Sequence, residues 1–159
     1  MFSTFSGPVR SGTVRENAGR NTGLIVLGQS FNSGDLTGRA AGTVDTQAFI
    51  IPQGSQIVDI TIDQTAATTG TGASTTVSVG NASGGAQLMA AVATTAGGRF
   101  RGTATAATQA AWQTSTTADT TIFIRNVTAV TGSLTAGQFI VTVTYIQRAP
   151  NGAQNPTTA

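Results

Sequence analysis

The sequence contains no cysteine, no histidine and no lysine, and each gap removes a class of chemistry. Without cysteine there are no disulfides, iron–sulfur clusters, thiolate zinc sites or thiol nucleophiles. Without histidine the commonest general base, the Ser-His-Asp triad and most transition-metal sites are gone. Without lysine neither Schiff-base catalysis nor a P-loop can form, and all eight basic residues are arginine. Charged residues make up only 9% of the chain, against roughly 25% in an ordinary soluble domain. No apolar run approaches the roughly 20 residues that cross a bilayer as a helix. The opening Met-Phe-Ser-Thr-Phe-Ser-Gly-Pro has no basic stretch leading into an apolar one, so it does not read as a secretory signal. The expectation is a protein that is not an enzyme, holds no cofactor or metal, and binds no membrane.

Nor does the high isoelectric point, near 10.5, make a nucleic-acid binder. The formal charge is only +2, and with no residue to buffer the middle range two surplus charges carry the value upward. Nucleic-acid proteins cluster their basic residues against phosphates. Here only Arg10, Arg15 and Arg20 are grouped, with Glu16 among them. No nucleic-acid partner is expected.

What the chain has in abundance is small residues. Thr (30), Ala (24), Gly (20) and Ser (11) account for 85 of 159 positions, while Leu, Ile, Val and Phe together number 34. Low hydrophobic content with high net charge means disorder; this near-neutral chain can fold, but on a lean core. Residues 1–22 hold Phe2, Phe5, Val9 and Val14 with no period. Residues 23–148 carry short apolar runs between Gly, Thr, Ser and Asn. Residues 149–159 contain two prolines and no large apolar side chain, and read as a flexible C-terminal tail.

The middle zone reads as strand. Val58, Ile60 and Ile62 alternate with Asp59, Thr61 and Asp63; Ile122 and Ile124 alternate with Thr121, Phe123 and Arg125; Phe139, Val141, Val143 and Tyr145 alternate with Thr142 and Thr144. Such period-2 runs of β-branched and aromatic residues mark strands with one face in a core. Weaker candidates are 24–27, 44–51, 75–79, 86–92, 99–105 and 111–115, about nine short strands in all. Helix competes at 82–96 and 104–111, where threonine or glycine interrupts the alanines and leaves a short turn at most. Thr65-Ala-Ala-Thr-Thr-Gly70 and Thr128-Ala-Val-Thr-Gly132 each follow a strand and precede another, which predicts two hairpin turns. The pattern points to an all-β, antiparallel β-sandwich, jelly roll or barrel.

Few groups could carry chemistry. Asp59 and Asp63 share a strand face about 13 Å apart, too far to hold one cation, and read as a solvated polar face together with Asp45. The glycine-rich 80–85 matches no phosphate-binding fingerprint and reads as a turn. Trp112 reads as a core anchor first and a carbohydrate platform second. The N-terminal zone holds Phe2, Phe5 and Pro8 as possible anchors and Arg10, Arg15 and Arg20 as possible polar clamps. It reads as an extended docking arm or as a plain loose end; proline favours extended chain, and arginine desolvates and pairs bidentately.

The phrases Phe5-Ser-Gly-Pro-Val-Arg-Ser-Gly12, Ile51-Pro-Gln-Gly-Ser-Gln-Ile-Val-Asp-Ile60, Ser78-Val-Gly80 and Phe139-Ile-Val-Thr-Val-Thr-Tyr-Ile-Gln-Arg148 resemble small virion structural proteins of tailed bacteriophages, among them the β-rich capsid decoration (cement) proteins. The resemblance implies a non-enzymatic protein that binds the major capsid protein on the outer surface of the shell, made in the host cytoplasm. It also implies a homo-oligomer with a trimer favoured, which the lean core supports independently, since self-association supplies burial that a small core lacks. The alternative is a tail or head-fibre β-sandwich module that binds a host receptor or glycan. Elemental analysis of the purified protein is expected to find no stoichiometric zinc, iron or copper.

Overall fold

β-branched residues at alternate positions favour extended backbone, and a run of them is held straight only while its partner strand stays in step. The computed structural model describes residues 25–101, 105–113 and 118–147. In it, six strands form one antiparallel sheet: β1 (Ile25–Asn32), β2 (Ala40–Ile51), β3 (Ser55–Gly80), β4 (Met89–Ala93), β5 (Gly98–Arg101) and β6 (Thr120–Gln147). A helix, α1 (Ala106–Gln113), lies between β5 and β6.

β3 and β6 have 26 and 28 residues and pair with each other along nearly their whole length. Straight, β6 would extend about 90 Å. It cannot be straight. β2 ends with Ile51 opposite Thr120, at the start of β6, and β3 begins with Ser55 opposite Gln147, at its end. The four steps from Ile51 to Ser55 span at most about 14 Å, so β6 doubles back on itself. β3 bends with it. β1 pairs with residues 140–147 of β6 and β2 with 120–133; β5 pairs with residues 61–64 of β3 and β4 with 76–79. The sheet is thus folded once across its middle, and its two halves close as a sandwich on one core.

The bend is built from bulges and glycines. Register slips four times between Gln64 and Ser74, and each extra residue adds local twist and bend. Gly72 and Gly132 take left-handed φ values of 66° and 84°, which only glycine adopts at little cost. The loop from β1 to β2 follows the bend: Leu36 N donates to Gly137 O at 2.9 Å and Gly38 N to Leu134 O at 2.8 Å. On the far side Thr94 N donates to Thr75 O at 2.8 Å and Thr68 N to Thr95 O at 2.9 Å.

Inward-facing Ile60, Ile62, Val77, Val79, Ile122, Ile124, Phe139, Val141 and Val143 are essentially fully buried and share one cluster with Leu36, Leu88, Met89, Leu134 and Tyr145. Toward the bend the core turns polar. Thr68, Thr75 and Thr94 are buried and linked hydroxyl to hydroxyl at 3.0 and 3.1 Å, and Gln64 Nε2 donates to Thr68 Oγ1 at 3.1 Å. A buried hydroxyl costs stability unless it is bonded, and here each bonds another.

The all-β antiparallel sandwich agrees with the sequence, but three local expectations do not. The two Thr-Ala-x-Thr-Gly stretches are no hairpin turns; they are the bulged middles of β3 and β6, so four of the expected nine or so strands merge into two. Val58 does not join Ile60 and Ile62: a bulge between Ile57 and Asp59 turns it outward, 47% exposed. The proposed strand at 111–115 is helix through Gln113. Four alanines favour it, and Thr105 caps it by accepting from Thr108 N at 3.3 Å.

Gly70 sits at the bend with φ 152°, and a Cβ there would lie 2.9 Å from Val130 Cγ2 and 3.3 Å from Ser133 O. Gly70→Ala is expected to lower stability by about 1–3 kcal/mol. Gly28→Ala, with open space around it, should stay within about 0.5 kcal/mol. Denaturant melts of both variants check this.

Candidate interaction surface

Folding the sheet leaves two unlike ends. The bend end is rich in threonine and glycine. The open end gathers the first residue of β1, the junction of β2 and β3, the two ends of β6, and α1. Ile25 and Ser55 flank Gln147 from opposite sides, which puts them about 10 Å apart. The described chain therefore begins and finishes at this same end.

Among the described residues, four of the six exposed large hydrophobic side chains lie here: Val26 (63% exposed), Leu27 (36%), Ile50 (48%) and Val58 (47%). Val26 stands opposite Ile146 on the outer face, and Val58 is turned out by its bulge. Gln29 ties β1 to the neighbouring half by donating from Nε2 to Ile50 O at 3.1 Å and to the Tyr145 hydroxyl at 2.9 Å. Val44 and Val127, the other two, lie one register step apart where β2 pairs with the first part of β6. Scattered apolar residues are ordinary on a surface, whereas a contiguous patch of them is a candidate contact region.

A cavity of about 60 Å³ opens at the same end, lined by Ile51, Ser55, Ile57, Leu88, Trp112 and Thr120 among others. Trp112 is half-buried, packs on the core and donates its indole N–H to Leu88 O. The Ser55 hydroxyl is buried without a hydrogen-bond partner among the described residues. Buried hydroxyls in that state are uncommon.

The carboxylates behave as surface charges. Asp63 binds Arg99 through two bonds of 2.6 and 3.3 Å, Asp59 lies 3.3 Å from Arg101, and Asp45 lies 3.9 Å from Arg125. They do not converge. Arg125 also donates to Gly84 O at 2.8 Å, which pins the 81–87 loop over the outer face. At the bend, Asp35 accepts from the hydroxyl and then the backbone N–H of Thr37, and these bonds hold its carboxyl below the usual range.

Phe2, Phe5, Pro8, Arg10, Arg15 and Arg20, expected to form the docking arm, lie outside the described residues, as does the 149–159 tail. Tyr145 is buried in the core. The exposed group at the open end was not found by alternation. One signal was available: Leu24-Ile-Val-Leu27 is apolar at four consecutive positions, so a strand through it must present some of them to solvent.

No family model matches the sequence, and no curated protein matches it. One solved structure does. The chain is similar in fold to a chain from the capsid of Ralstonia phage GP4, with a TM-score of 0.57 over 79% of this chain and 85% of that one, at 20% identity. The likeness lies in architecture, and the folded sheet is what it carries.

Val58 and Ile60 separate the observed register from plain alternation. Val58→Thr is expected to change stability by less than about 0.5 kcal/mol, while Ile60→Ala should cost about 2–5 kcal/mol. Equal losses at both sites in denaturant melts would return Val58 to the core.

Proposed function

We propose that the protein is a non-enzymatic structural component of a phage virion that docks on the outer surface of the major capsid shell as a decoration protein. The observation that carries this reading is the fold shared with a chain of the GP4 capsid, and the apolar open end supplies a place for contact. The residue inventory is in keeping with it, since cysteine, histidine and lysine are missing from the sequence. Residues 1–22 act as the docking arm, leaving the sandwich at its apolar end, with Phe2, Phe5 and Pro8 as anchors and Arg10, Arg15 and Arg20 as clamps. Buried aromatic and arginine anchors dominate the energy of most interfaces. The protein self-associates, a trimer being favoured, because its core is short of large side chains.

A fibre module that binds glycan would need an exposed aromatic platform. Tyr145 is in the core, and the Trp112 indole N–H is spent on Leu88 O. Nothing observed at the described surface favours that second reading.

Co-sedimentation with purified shells that lack the protein tests the proposal. The full chain is expected to bind, and light scattering to give an oligomer. Removing residues 1–22, or introducing Val26→Asp with Val58→Asp, should leave a cooperative melt and weaken attachment by tenfold or more, the effect of losing about 1.4 kcal/mol. Attachment at full affinity by both variants refutes the assignment of this end.

A further inference from the structure

We propose that the open-end cavity is the seat of a phenylalanine, Phe2 or Phe5, supplied in cis by the N-terminal segment of the same chain. The proposal concerns the free protein before docking, where one of the two phenylalanines assigned as capsid anchors is held by the chain's own cavity, and it is tested there.

Four observations converge. The first is place. The segment ahead of Ile25 starts about two strand spacings from Ser55, roughly 10 Å, and Ser55 lines the cavity. The nineteen residues between Phe5 and Ile25 reach far more than that distance. Tethering also makes the segment an occupant at millimolar effective concentration.

The second is composition. The cavity wall is mostly apolar, with Ile51, Ile57, Leu88, Ala111 and Trp112. Of the segments outside the described residues, 102–104, 114–117 and 148–159 contain no large apolar side chain, whereas residues 1–24 contain two phenylalanines. A water needs roughly 10–15 Å³ of such space, so about 60 Å³ takes several waters or the end of one ring.

The third is the orphan hydroxyl. Ser55 is 3% exposed and its Oγ has no partner among the described residues. An incoming backbone N–H or C=O beside the seated ring satisfies it. The fourth is charge. Asp119, next to Thr120 in the cavity wall, accepts from Gln53 N at 2.9 Å and forms no ion pair among the described residues. The segment brings Arg10, Arg15 and Arg20. A carboxylate is complementary to a segment with three arginines, and arginine suits such contacts.

Trp112 is the sole tryptophan and stands in the wall, so its emission reports the occupant. In the free protein, Phe2→Ala with Phe5→Ala is expected to move that emission to longer wavelength and to increase its quenching by acrylamide. Deletion of residues 1–22 should do the same. Trypsin has its sites in the segment at Arg10, Arg15 and Arg20, and cleavage there should be about tenfold faster once the anchor is lost, because proteolysis follows the open population. A peptide of residues 1–12 added to the truncated chain should restore the emission at millimolar concentration. If the truncated chain unfolds, the two point substitutions still decide, since they leave the backbone intact. Unchanged emission and unchanged cleavage in those variants overturn the proposal. So does a difference that disappears on dilution, which assigns the segment to a second copy, or one that arises only on capsids, which assigns the seat to a partner. Capsid binding is measured separately, so loss of this proposal leaves the docking reading standing, and loss of docking leaves this one.

Discussion

The three-residue turn from Ile51 to Ser55 is the constraint on which the rest of the molecule depends. It joins a strand paired with the first residue of β6 to a strand paired with the last. No straight 28-residue strand meets that condition, so the central ribbon must fold, and every ribbon hydrogen-bonded to it must fold along the same line. β1 and β2 do so through the 33–39 loop, and β4 and β5 through the Thr94–Thr95 crossing. A single core follows, because both halves of the sheet present their inward faces to the same interior.

The unusual composition fits this geometry. At a bend backbones pass close together and large side chains have no room, which explains glycine at 70, where even a methyl group would meet Val130. Threonine serves two needs there: its β-branch favours extended backbone, and its hydroxyl can bond within the interior. The Gln64–Thr68–Thr75–Thr94 chain contributes about 1 kcal/mol net per bond. Replacing Thr75 would leave the buried Thr94 hydroxyl unpaired and Thr68 with one bond fewer, and an unpaired buried hydroxyl costs more than the bond itself. The network therefore fixes the bend more firmly than its net energy suggests, and it lets a chain with only 34 Leu, Ile, Val and Phe residues fill its interior.

Much of the sandwich was legible because alternation is a local property. The faces of 120–125 and 138–145 followed from side-chain parity alone, and the core positions from Ile122 to Val143 agree with it. What alternation misses is continuity. A Thr-Ala-x-Thr-Gly stretch has the same turn chemistry in a tight hairpin and in a bulged strand, and pairing across 60 residues decides between them. The bulge at Val58 is of the same kind, since one inserted residue reverses a face and nothing in Ile57-Val-Asp-Ile60 announces it. Alanine propensity alone does not announce the short helix, which depends on Thr105, the cap that starts it. The open-end cavity draws on residues 51 to 120 and was beyond any local pattern. The arm assignment, made from lost period at residues 1–22, lies outside the described residues.

The apolar end is itself a consequence of the fold. Strand termini are where inward and outward faces stop being distinguished, and folding the sheet once brings several such termini to one side. Edge residues such as Val26 and Leu27 then lose the cover that interior strands enjoy, while the gap between the two halves opens at Ser55 and is only partly closed by α1 and Trp112. The opposite end closes itself, because continuous backbone runs through the bend. Exposed apolar side chains, the cavity and the first described residue of β1 therefore meet at the open end. A pattern that needs only alternating β-branched residues, glycine at a bend and one short turn leaves most positions free to vary, which is how the fold can be shared at 20% identity.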